Sequence, residues 1–126
     1  MIQPVRSFII LILVLLISLT TTYADDLNEK LITAGKTGDT ATVKSSIEKG
    51  ANVNAKDKLG QTALIMAAKN GHVETVQTLI SQGADVDVQD LFEKSSLHYA
   101  ARNGDVEVAK ALLIKGADVN KKNLGI

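Results

Sequence analysis

A period of 33 residues runs through this chain. Residues 57–89 and 90–122 align without a gap and are identical at 13 of 33 positions. Both contain Leu-x-x-Ala-Ala-x-Asn-Gly, at Leu64–Gly71 and Leu97–Gly104, then Val-Glu, then Gly-Ala-Asp-Val at Gly83–Val86 and Gly116–Val119. Leu31, Ala34, Gly38, Val43, Ile47, Gly50, Ala51 and Val53 hold the same register one period earlier. Three copies are therefore present. A unit of this length cannot bury its own apolar face and must stack on its neighbours, and about three units is the usual minimum.

Within a copy, the pattern predicts two short helices. In residues 57–89, Thr62 is placed to cap the first, with Leu64, Ala67 and Ala68 on one face at helical spacing. Gly71 ends it by allowing a left-handed conformation. The second runs from about Val73 to Ser81, burying Val73, Val76, Leu79 and Ile80, and stops at Gly83. Residues rich in Asp, Asn and Gly join the copies as extended arms with a β-turn. Beyond residue 24 the aromatic residues are Phe92 and Tyr99. A core must then come from Ala, Val, Leu and Ile, which favours thin, closely stacked helices.

These residues resemble the ankyrin repeat. Asp57-Lys58-Leu59-Gly60-Gln61-Thr62-Ala63-Leu64 and Gly71-His72-Val73-Glu74 follow that family's D-x-x-G-x-T-P-L-H and G-H-x-E patterns, and the Gly-Ala-Asp-Val endings are equally typical. Ala63 and Ser96 stand where Pro is usual, Glu93 replaces the turn Gly, and Ile65 replaces the motif His. The resemblance implies an all-α solenoid of three stacked helix-turn-helix repeats with β-turn or hairpin connections. Its segments are residues 25–56, 57–89 and 90–122, with 123–126 opening a fourth copy. Lys44, Ser45 and Ser46 stand where the next copy has Gln77, Thr78 and Leu79. This predicts a polar outer face suited to an amino-terminal cap. At the other end the third copy is expected to leave part of Leu112, Leu113 and Ile114 uncovered. A longer array, a partner, a second copy of the chain or a tolerated ragged end would each account for that.

Ahead of the repeats, Arg6 precedes an almost unbroken apolar run, Phe8–Leu19. As a helix its 12 residues reach roughly 18 Å, against about 30 Å for a bilayer core. It reads as a signal-peptide helix over residues 1–24, with small residues at Thr22 and Ala24 and cleavage after Ala24. An uncleaved anchor from Phe8 to Ala24 is the competing reading. The short signal and the acids Asp25 and Asp26 suggest a bacterial source, with the chain periplasmic or secreted.

Catalytic patterns are incomplete. The 14 Lys and Arg balance 14 Asp and Glu, so no long-range field would hold nucleic acid. With no Cys, disulfides, thiolate nucleophiles and Cys-ligated zinc are excluded. Gly35-Lys36-Thr37 lacks the phosphate-loop Gly, since Lys30 is there, and His72-Val73-Glu74 lacks the two Cys of a zinc deaminase. Asp85, Asp87 and Asp90 lack calcium-loop spacing and read as solvated turn residues. No catalytic residue, metal site or cofactor is predicted. His98 occupies the place of the family's motif His, which implies a hydrogen bond across the turn.

The resemblance implies protein binding through the turn tips and the exposed side of the first helices. By position the tips offer Lys58, Leu59 and Gln61, then Leu91, Phe92 and Lys94, with Leu59 and Phe92 equivalent and Leu124 next in the row. Lys36, Lys69 and Arg102 each stand two residues before a helix-ending Gly. Together they suit an apolar patch edged by acids. The alternative is that the cations only solubilise the helix ends and Leu59 packs on the next tip. Phe92 is the leading contact residue. Tyr99, like Met66, is expected half-buried between copies. The expected function is an exported, non-catalytic binding module whose partner is a protein, with membrane contact only through an uncleaved first segment and self-association through the open third copy. A secreted effector acting on a host or neighbouring cell, or a fragment of a larger array or enzyme, are the alternatives.

Overall fold

No Gly or Pro lies between Val5 and Ala34, so nothing interrupts a helix there. The computed structural model, which describes residues 3–115, accordingly runs one helix, α1, over Gln3–Thr37. The segment read as a signal peptide and the first helix of copy one are continuous. The rest of the described chain forms α2 (Thr40–Glu48), α3 (Ala63–Lys69), α4 (Val73–Ser81), α5 (Ser96–Asn103) and α6 (Val106–Ile114). Among the described residues there is no strand, and turns connect the copies. Gly116–Val119, Leu124 and the opening of a fourth copy at 123–126 fall outside the described residues.

Four of the five short helices begin where the sequence supplies a side-chain acceptor. Asp39, Thr62, Ser95 and Asp105 cap α2, α3, α5 and α6, their side chains accepting from the backbone N–H of Thr42, Ile65, His98 and Val108. His72 at the start of α4 makes no such bond. It reaches back instead, and its Nε2 donates to the Lys36 carbonyl at 3.0 Å, tying copy two to copy one.

Contacts separate the helices into an inner layer, α1, α3 and α5, and an outer layer, α2, α4 and α6. Leu31, Leu64 and Leu97, one period apart, form a buried column, and Ala34, Ala67 and Ala100 form another beside it. Each fully buried Leu contributes roughly 1.5–3 kcal/mol relative to exposure. The Ala column lets the inner helices approach closely, and Gly35 takes this furthest. A Cβ there would lie 2.6 Å from the Ala63 carbonyl oxygen.

Copy one departs from expectation at Ser46. Rather than adding to a polar outer face, Ser46 points inward at the place of Leu79 and Leu112, with only 1% of its surface exposed. Its hydroxyl has no hydrogen-bond partner. Helical phase places this position in the core whichever residue occupies it. At the other end, Leu112 is wholly buried, while Leu113 and Ile114 are exposed.

Side-chain amides also tie down the connecting turns. The Asn52 N–H donates to Asn28 Oδ1, and the Asp85 N–H donates to Asn54 Oδ1, each at 2.8 Å. The first holds the turn of copy one to α1, and the second joins the connecting turns of copies one and two.

Candidate functional site

The tips of copies two and three are five-residue turns, each organised by its first residue. Asp57 Oδ1 accepts from the N–H groups of Leu59 and Gln61, both at 2.9 Å. The Asp57 N–H donates to the Gln61 carbonyl, closing the loop. Asp90 repeats this with Phe92 and Lys94, at 2.9 and 3.1 Å. Both turns need a left-handed fourth residue, supplied by Gly60 at φ +75° and by Glu93 at φ +60°. The adjacent tips are joined where the Leu91 N–H donates to the Leu59 carbonyl at 2.9 Å.

This pairing leaves the apolar side chains of the tips outward. Leu59, Leu91 and Phe92 are 46%, 70% and 56% exposed. Lys58 is exposed beside them and Lys94 is half-buried. Lys36, Lys69 and Arg102 are exposed at the opposite ends of the inner helices. Beside copy one, between α1 and the arm that leads to Lys58, lies a groove of about 920 Å³, lined in part by Asp25, Glu29, Lys36, Lys58 and Met66. The groove presents both signs of charge.

Three residues expected at or near this surface lie beneath it. Tyr99 is only 6% exposed, and its hydroxyl donates to Asp90 Oδ2. Gln61 is 2% exposed, and its amide donates to the same oxygen at 3.1 Å. Asp90 itself is buried rather than solvated. Desolvation acts to raise its pKa, but the bonds from Tyr99, Gln61 and the backbone N–H groups of Lys94 and Phe92 together outweigh that and leave it below the usual carboxylate value. Tyr99 is driven the other way, up to about 12, by burial and by the carboxylate it donates to. Its ring still meets the surface indirectly, since the Lys69 ammonium sits 5.4 Å from the ring centroid. Tyr99 thus holds Lys69 and Asp90 in place instead of facing a partner.

His98 also differs from the expected pattern. Its Nδ1 is buried with no hydrogen-bond partner, so that nitrogen makes no bond across the turn. Burial, then the charges of Lys94 and Arg102, depress its pKa against the opposing pull of Asp90. The buried Asp90 network went unpredicted because Gln61 and Asp90 stand 29 residues apart. Only the stacking of two copies brings them together.

A family model described as ankyrin repeats (3 copies) matches residues 31–123. No curated protein matches the chain.

Proposed function

The chain belongs to the ankyrin-repeat family, and from that membership we propose that it is a non-catalytic binding module exported from the cytoplasm, holding a protein on its concave face. Ankyrin repeats form protein–protein interaction modules. The observation that carries the reading is the groove beside copy one with Lys36 in its lining, together with Lys69, held at the Tyr99 ring, and Arg102, exposed at the equivalent places of the next two copies. A face held rigid before binding loses little freedom on binding. Lys36, Lys69 and Arg102 along one edge suit a partner with an apolar contact bordered by acids.

Export rests on α1, whose residues Phe8–Ile17 are each at least 41% exposed and contact no core. A helix over Ser7–Thr37 is long and apolar enough to cross a membrane by length and composition.

Capture of proteins from an extract of the exported compartment tests the binding reading. The full chain in detergent is compared with a Lys36→Glu, Lys69→Glu double variant. Loss of the captured partner supports the concave face. The same partners at unchanged affinity refute it.

A further inference from the structure

We propose that α1 is retained as a membrane span and that the turn tips of copies two and three rest on the bilayer surface beside it. The retained span replaces cleavage after Ala24. The occupant of the exposed tips is then lipid, and the protein partner is left with the groove and the cations at the far end.

Continuity of α1 is the first ground. Its later turns are core, with Leu27, Leu31 and Ala34 buried, so its apolar half leaves the stack in a fixed direction. The tips lie at the end from which it leaves. One period relates Ala24 to Asp57 and Asp90, and Asn28 to Gln61. The inner helices pack side by side, and Asp25, Asn28 and Glu29 line one groove with Asp57 and Lys58. The tips are therefore level with the first turns after Ala24.

Length then sets the depth. Ser7 to Ala24 as helix spans roughly 27 Å, close to the hydrocarbon thickness once modest thinning is allowed. This places Tyr23, exposed and aromatic, at the headgroup layer, with Asp25 and Asp26 just outside it. A bilayer ending there lies against the tips.

Tip chemistry matches that surface. Leu59, Leu91 and Phe92 offer exposed apolar side chains, and Lys58 and Lys94 stand among them with ammonium groups on flexible stems. Apolar side chains entering the headgroup boundary, with lysines reaching lipid phosphates, are how a surface holds to an interface. Tethering by α1 raises the local lipid concentration, so weak contacts suffice.

The chain has no Trp, which makes an introduced one a sole reporter. Full-length Phe92→Trp, Leu59→Trp and, at the opposite end of the stack, Val106→Trp are each reconstituted into phosphatidylcholine vesicles containing phosphatidylglycerol and a headgroup-level quencher lipid. The expected result is strong quenching with a blue shift at positions 92 and 59, and little change at 106. Adding Lys58→Glu and Lys94→Glu reduces the quenching at 92. Equal quenching at all three positions overturns the proposal, as does a chain that stays free of the vesicles. So does a residue 92 shielded by an extract protein and not by lipid.

Discussion

The turns at Asp57–Gln61 and Asp90–Lys94 close with the same backbone bonds, yet they meet the demand for a left-handed residue differently. The first uses Gly60, which adopts φ +75° freely. The second forces Glu93 to φ +60°, where a side chain costs about 1–2 kcal/mol. What the second has in exchange is Asp90 Oδ2, which takes two further bonds, from Tyr99 and from Gln61 of the preceding copy. No equivalent exists one period earlier, where Met66 stands in the place of Tyr99. A turn whose anchor is clamped from below tolerates backbone strain that a free-standing turn avoids. The strained turn is also the one that presents Leu91 and Phe92, the most exposed apolar pair at the tips.

The comparison breaks first at Asp90. Asp90→Ala removes four hydrogen bonds and leaves the buried Tyr99 hydroxyl without its acceptor, which should cost about 3 kcal/mol or more, against about 1 kcal/mol for Asp57→Ala. Urea unfolding of the two variants measures the difference, and equal losses would show that the lower clamp adds nothing.

Next come the left-handed positions. Gly60→Ala should destabilise by about 2 kcal/mol, because φ is unfavourable and the new Cβ would lie 3.2 Å from the Leu91 nitrogen. Glu93→Gly should instead stabilise, by about 0.5–1 kcal/mol once the greater freedom of the unfolded glycine is counted. Thermal unfolding separates the opposite signs. If Glu93→Gly also destabilises, strain is not what distinguishes the turns.

The smallest effect is the pH dependence of the second turn. His98 has a depressed pKa in the folded chain, so the unfolded chain binds its proton first. Its contribution is complete above the ordinary value of 6.5 and is lost as pH falls through the lower folded value. Asp90 follows the same sign at lower pH, contributing fully above 3.8 and losing that contribution as pH falls through its depressed folded value. Amide exchange at Phe92 and Lys94 should therefore accelerate, relative to Leu59 and Gln61, on acidification below neutrality. His98→Gln should abolish the upper step and leave the lower one.

These contrasts mark what could be read from the sequence. The Leu31, Leu64 and Leu97 column, the Thr62 cap and the left-handed Gly71 followed from spacing and residue type, because each is a local property of one copy repeated. Tyr99, Gln61 and Asp90 were misplaced toward the surface for the complementary reason. Their burial depends on a neighbouring copy, and polar residue type at a turn argues for water. Ser46 was misread through composition alone, where phase would have placed it beside Leu79. The exposed places of Leu59 and Phe92 were legible, since a turn tip has no neighbour to cover it.

The continuity of α1 has a mechanical consequence. A domain joined to an anchoring segment by a loose connection can tumble, and a pull on the anchor is absorbed by slack. Here a displacement of the apolar half passes directly to Leu27 and Leu31 and then, through the tight approach of Gly35 to Ala63, into α3. With α1 retained as proposed, the repeat stack is the short arm of a lever whose long arm is the first six turns of α1. Tilt of that arm must turn the concave face with it.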